Sequence, residues 1–287
     1  MLGLGNSIAH SSYVSGVTPK LLDTSGDAAA AYSLRLLNSS YGGNAVNVRR
    51  DSDNAEANIG FAGGGLDTKA LSDHCGSANG FVDTWFDQSG NGNDAVQETT
   101  GNQPKIYNGA TAAVMEENGK PAVTFDGTST NLNSSTGTKT APFTVLSVAQ
   151  TNVNTGSSGS RQYAYDGGTD QNAERALLAL RGNQSNKPAI WSSSWLASLT
   201  STTTNQSLYY VLYDGVNSEL GIDGNSPVTG DAGTNTFVGI TIGSNYLNNL
   251  DFLDGNIQEI VLYDSDQSAT ATRAEIESNM NDFYSIY

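Results

Sequence analysis

The stretch Trp85-Phe86-Asp87-Gln88-Ser89-Gly90-Asn91-Gly92-Asn93-Asp94 runs a strand end straight into a Gly/Asn-rich turn. Asp87 and Asn91 carry short polar side chains that bond nearby backbone, and Gly90 and Gly92 accept positive φ at little cost. Such a string demands a tight, ordered loop at the end of a strand. Strand-length apolar runs recur after it with polar turns between them, the pattern of an all-β chain.

Composition bounds the partners. Thirteen basic residues against 29 acidic ones give a formal net charge of −16 and a pI near 4.2. That balance argues against nucleic acid or an anionic membrane and favours a soluble surface that repels its neighbours. Charged residues make up only 15%, which together with abundant Gly, Asn, Ser and Thr gives a loop-heavy β composition rather than a disordered one. Cys75 is the only cysteine, so no intrachain disulfide forms. No segment approaches the roughly 18 apolar residues that span a bilayer. The start, Met1-Leu-Gly-Leu-Gly-Asn-Ser-Ile-Ala-His, lacks a basic leader. The expectation is a chain made in a cytoplasm and left unprocessed.

Residues 1–23 are expected to form an extended N-terminal arm, without charge before Lys20, and 24–287 a single sandwich domain. A helix is expected over 26–37, where Asp27 can cap the run Ala28-Ala-Ala-Ala-Tyr-Ser-Leu-Arg-Leu-Leu. Another short helix is expected over 66–73, and a closing one over 270–284 with Ile276, Met280, Phe283 and Tyr284 on one face. Strands are expected over 45–50, 81–86, 122–125, 143–149, 175–180, 208–213, 237–242 and 257–263.

The segment from Cys75 to Asn93 resembles the catalytic domain of α-L-arabinofuranosidase B, glycoside hydrolase family 54, which carries two cysteines followed by Asp-Gln-Ser-Gly-Asn-Gly-Asn. The same layout is similar to a set of bacteriophage virion proteins built on this frame. The resemblance implies a concanavalin A-like (jelly-roll) β-sandwich with a few short helices. It is strongest over 75–94 and extends, more weakly, over 24–287. Where the family has the second cysteine stands Gly80, and where it has two adjacent cysteines lining the sugar site stand Gln162-Tyr163.

A retaining glycosidase needs two carboxyl groups, one as nucleophile and one as general acid/base. The resemblance places the family's nucleophile at Glu174, within Ala173-Glu-Arg-Ala-Leu-Leu. The other reading of Glu174 is a strand-end carboxylate paired with Arg175 or Arg181. The family's acid/base Asp falls on Asn245, in Ile242-Gly-Ser-Asn-Tyr-Leu-Asn. An amide cannot deliver a proton to a leaving oxygen, and losing that role forfeits about 10²- to 10⁴-fold in rate. Asp251 and Asp254 lie nearby and could substitute. Glu174 and Asn245 are thus expected to be vestigial catalytic positions.

Trp191 and Trp195, four apart, would face one side of an extended strand and could stack a sugar ring, or pack in a core or interface. Tyr209, Tyr210 and Tyr213 carry the same ambiguity. Asp87, Glu174, Trp191, Trp195 and Asn245 are the expected ligand-binding set. His10 and His74 have no second ligand at metal spacing, so no metal site is expected. Structural Ca²⁺ at Asp51-Ser-Asp-Asn-Ala-Glu or Asp264-Ser-Asp is an open alternative, and no other cofactor is expected. Gly63-Gly-Gly reads as a loop rather than a phosphate cradle.

These features lead to the expectation of a non-catalytic phage structural protein on the virion surface, as capsid decoration or head/tail fibre. It would dock on other virion proteins through its arm, form a homo-oligomer such as a trimer, and bind host surface glycan. The alternative is an α-L-arabinofuranosidase-like retaining glycoside hydrolase.

Overall fold

Along the strand Ser207–Tyr213, Tyr209, Val211 and Tyr213 face one core while Leu208, Tyr210 and Leu212 face another. That period-two split marks a sheet packed on both faces. The structure, a computed structural model, describes residues 19–154, 161–168, 173–182 and 186–287. The first 18 residues of the expected arm lie outside the described residues.

Among the described residues the strand pairs are antiparallel. Ser207–Tyr213 pairs with Phe143–Thr151, which pairs with Asp254–Tyr263. The far edge of Asp254–Tyr263 is shared, its first half by Val123–Asp126 and its second by Ala30–Ser33. A second run of strands begins at the hairpin Ala189–Trp191/Trp195–Ala197. It continues through Leu177–Arg181, Gln162–Asp166, Phe237–Ile242 and Leu132–Lys139. Through Ala95–Val96 it reaches Gly80–Trp85 and Val46–Arg50 and ends on Glu56–Ile59. Lys105–Asn108 pairs with Gly80–Trp85 and touches Val123–Asp126, so it joins the two layers. Between them lies the main core, where Phe143 stacks on Tyr213 and Phe237. The all-β, concanavalin A-like sandwich is the fold.

The back of the first layer is covered by the closing helix Thr270–Tyr284, whose Ile276, Met280 and Tyr284 pack on Leu146, Tyr210 and Val261. The short helix Leu21–Thr24 joins them through Leu21. Under this helix Glu259, fully buried, accepts from Arg35 Nε at 2.7 Å and Nη2 at 2.9 Å, from Ser33 Oγ at 2.8 Å and from Tyr284 Oη at 3.0 Å. Arg35 also reaches Asn279 on the helix at 2.8 Å. A buried ion pair contributes little against an apolar alternative, but removing one partner strands a charge. Glu259→Ala is therefore expected to cost about 3–5 kcal/mol, read as a drop in urea midpoint, while Met280→Leu leaves the midpoint nearly unchanged.

The expected helix over 26–37 is corrected: its centre, Ala30–Ser33, is a strand whose four residues are all buried. Ala30 and Tyr32 face the main core and Ala31 the helix-covered one. Alanines serve here because the strand is sandwiched between layers, and tertiary burial overrides helix propensity. The closing helix spans the residues expected, and the short one forms over Thr68–Cys75 with Asp67 capping the Ala70 N–H. Gly63 and Gly64, at φ +62° and +85°, make the tight turn of the small hairpin Phe61–Ala62/Gly65–Leu66.

Gly80 lies directly against Cys75. A Cβ built on Gly80 would stand 2.7 Å from Cys75 Sγ, with Tyr107 Cβ at 3.0 Å and Val48 Cγ1 at 3.1 Å. The position where the resemblance would put a second cysteine thus lies within reach of Cys75. Burial pushes the Cys75 thiol up to about 11, leaving little thiolate at neutral pH. Gly80→Cys is expected to form a cross-link on oxidation, seen as loss of two hydrogens in intact mass. Closing so short a loop contributes about 2 kcal/mol, so the oxidised variant melts above its own reduced form.

Candidate active site

Gln162–Asp166 ends in a carboxylate with no solvent exposure. Asp166 Oδ1 accepts from Arg175 Nε at 2.9 Å and from the Gly167 N–H at 2.8 Å. Its Oδ2 accepts from Arg175 Nη2 at 2.5 Å and from the Tyr246 N–H at 3.1 Å. Burial raises the Asp166 carboxyl above its ordinary value, opposed by Arg175 and the two backbone N–H groups. Desolvating a carboxylate is tolerable only with such full partnering.

Arg175 is thereby held in one pose. Its guanidinium lies between two rings, 4.5 Å from the Tyr246 centroid and 5.2 Å from that of Trp191. Glu174 immediately precedes it. The Glu174 carbonyl accepts from the Val238 N–H at 3.3 Å, and the Ala173 carbonyl from Thr236 N–H at 3.1 Å. The backbone of the expected nucleophile is stitched to the strand Phe237–Ile242. Gly167 is required for this close passage, since a Cβ there would sit 2.7 Å from the Glu174 carbonyl oxygen. Glu174 itself is half-buried and engaged with a neighbour. Arg175, one of the two arginines expected beside Glu174, forms its ion pair with Asp166. Beside it opens a shallow recess of about 250 Å³ lined by Asn133, Ser134, Gly168, Val238 and Gly239.

Asn245 is buried and organises its own loop. Its Oδ1 accepts from the N–H groups of Asn249 at 3.1 Å and Leu250 at 3.2 Å, and its Nδ2 donates to Asn249 Oδ1 at 3.0 Å. The next residue, Tyr246, delivers the N–H and the ring that hold Asp166 and Arg175. Asp251 closes the same loop. It pairs with Arg161 at 3.1 Å, and its carbonyl accepts from the Tyr163 N–H at 3.2 Å. Gln162 Oε1 accepts from the Asp254 N–H at 2.6 Å, and Arg161 lies over the Tyr163 ring at 5.6 Å. Asp254 instead faces Asn152, which donates to it at 2.8 Å.

Trp191 and Trp195 do come together, for a different reason than a shared strand face. They sit opposite each other across the hairpin, with ring centroids 6.5 Å apart at 50°. Trp191 packs on Tyr163, Leu177 and Ala179, and Trp195 is 37% exposed. Tyr209, Tyr210 and Tyr213 are all buried.

Asp87 is buried and committed to the chain. It accepts from the N–H groups of Ala31, Ser89 and Asn93 and from the Ser89 hydroxyl, at 2.7–3.0 Å. Gln88 adds bonds to Ser33, Arg35 and Leu37. The motif that dominates the sequence is a clamp on the strand Ala30–Ser33. Among the described residues no three His, Cys, Asp or Glu side chains gather around a metal position. Asp51 is taken by Asn79 and Asp53 by Arg50, and His74 bonds the Val48 carbonyl.

Asp166, Arg175 and Tyr246 were not singled out from the sequence as a functional group. The available signal was the run Asp166-Gly-Gly at a strand end, which marks close backbone passage.

The sequence model of a family described as "Alpha-L-arabinofuranosidase B, catalytic" matches residues 13–177. No curated protein matches this chain in sequence. Similar solved structures include a family-54 α-L-arabinofuranosidase soaked with a cyclic sulfate inhibitor, at 18% identity and TM-score 0.65. Another is an arabinofuranosidase complexed with arabinofuranosyl-α-1,2-xylobiose, at 18% and 0.66. A third is a glutamate-to-glutamine mutant of the family-54 enzyme soaked with 4-nitrophenyl α-L-arabinofuranoside, at 18% and 0.67. Each alignment covers 90% of this chain and 64% of the other, so the chain spans about two-thirds of their length.

These likenesses overturn the expectation of a non-catalytic phage structural protein, and with it the expectation that the chain is no enzyme. The phage expectation was motivated by the start of the chain, the uncharged arm, the missing cysteines and Asn245, and the structure accounts for the cysteines by packing. Gly80 fits against Cys75, and Gln162 and Tyr163 are held by Asp254, Asp251 and Arg161 without a covalent bond.

Proposed function

The chain belongs to the α-L-arabinofuranosidase B catalytic-domain family, and on that premise we propose that it is a retaining glycoside hydrolase acting on α-L-arabinofuranosides, with Glu174 as nucleophile. The observation that carries this reading is the catalytic-domain match over 13–177, which includes Glu174 and the strand end that seats it. The Glu174 carboxylate attacks the anomeric carbon, the bond to the leaving oxygen breaks, and water then hydrolyses the glycosyl-enzyme ester.

Asn245 sets the limits of that chemistry. It has no proton to give, so departure of a sugar alcohol lacks assistance at this position, whereas an aryl oxide such as 4-nitrophenolate leaves without it. Asp251, paired with Arg161, is the nearest carboxyl group along the chain after Asn245; Asp254 faces Asn152.

Turnover of 4-nitrophenyl α-L-arabinofuranoside should therefore be measurable and should fall to background in Glu174→Gln. Activity that survives that change, or no turnover by the native chain, overturns the reading. A second expected outcome concerns the loop. In Asn245→Asp the carboxylate keeps the Asn249 and Leu250 N–H bonds, and a flip of the Asn249 amide supplies a donor in place of the lost one. The variant is expected to gain up to about 10²-fold on alkyl arabinofuranosides and much less on the aryl substrate, a contrast visible in their kcat/KM ratio.

A further inference from the structure

We propose that Trp191 and Trp195 form a second sugar subsite beside Glu174, which takes a neutral pyranose of an oligosaccharide chain. The inference rests on the glycosidase reading only for the choice of a sugar as ligand. Trp191 stands opposite Leu177, three residues beyond Glu174, and its ring meets the guanidinium of Arg175, the residue that follows Glu174. Trp195 is among the few large apolar side chains left exposed, and it leans against the half-buried Trp191.

The platform is rigid. At the hairpin tip the N–H groups of Ser192 and Ser194 both donate to the Ala232 carbonyl, at 2.6 and 3.0 Å, and Ser192 Oγ donates to the Asn235 carbonyl at 3.3 Å. Gly233, at φ +90°, passes so close that any side chain there would strike the Ser192 carbonyl. From below, Tyr163, Leu177 and Ala179 fix Trp191. Two indoles so held lose little entropy when they meet a ligand.

The charge around them selects the ligand. Arg175 touches the Trp191 ring, but its charge is taken up by Asp166, and Arg161 nearby is taken up by Asp251. The tip itself is serine. An aromatic, hydroxyl-rimmed surface whose neighbouring arginines are both already paired suits the C–H face of an uncharged pyranose, whereas a uronate would need a cation to spare. A dry protein interface would want a wider apolar surround than two indoles beside serines and ion pairs.

Tryptophan emission reads the site without turnover. Of the three tryptophans only Trp85 is elsewhere, and it is fully buried. In the Glu174→Gln background, xylohexaose and cellohexaose should each quench or blue-shift the emission, and oligogalacturonate should not. Trp195→Ala in the same background should weaken that binding about tenfold with an unchanged melting curve. The proposal is overturned if neither neutral chain changes the emission, if Trp195→Ala binds them as well as its parent, or if oligogalacturonate binds equally. Self-association abolished by Trp195→Ala would give the patch to a second copy and overturn it too. Because binding is scored in an inactive variant, absence of hydrolase activity defeats the catalytic reading and leaves this one standing.

Discussion

Everything at the candidate site hangs on one desolvated carboxylate. Asp166 is unexposed and stays satisfied only because four donors reach it from three places: the residue after it, the segment 173–176 and the loop after Phe237–Ile242. A buried acid with fewer partners would be a liability of several kcal/mol. Partnered in this way, it works as a joint. It fixes the Arg175 side chain and, through the adjoining backbone, where Glu174 emerges. It also orders the Tyr246 turn and gives Trp191 a cation to rest on.

The two outer faces of the sandwich have different fates. One is sealed by the closing helix, with the Arg35–Glu259 pair locked beneath it. The other keeps a small apolar cluster of Tyr163, Leu177 and Ala179, edged by Trp191 and by two arginine–carboxylate pairs. The second face offers a ligand both polar contacts and a flat apolar surface. The separate cores let stability and chemistry sit in different places. A change under the helix should move the melting point alone, whereas one at Asp166 should move the site as well.

Much of the β architecture could be read from alternation, because strands such as 237–242 and the closing helix 270–284 carry their period in a single segment. The alanine run at 28–31 misled because helix propensity is local, whereas its burial between two layers depends on residues more than 200 positions away. The tryptophan pair came out adjacent through a hairpin turn that spacing alone could not distinguish from a continuous strand. Asp87 shows the opposite problem. The most conspicuous motif is a structural clamp, since a turn that satisfies so much backbone leaves a strong local signature. The carboxylate that organises the site, Asp166, left only a Gly-Gly beside a strand end. Its partners lie 9 and 80 residues away, and no local pattern encodes such meetings.

Asn245 ties these points together. Its side chain is spent on the backbone of residues 249 and 250, and that loop in turn presents Tyr246 to Asp166 and Asp251 to Arg161. The same bonds could be accepted by an aspartate, so the position serves the fold whether or not it carries a proton. A chain could exchange the acid for the amide there and lose proton transfer without losing the loop, the ion pairs or the aromatic surface. Absence of a catalytic proton at one position is therefore weak grounds for declaring a site dead. The groups that would bind and position a sugar are held by interactions that do not involve that proton.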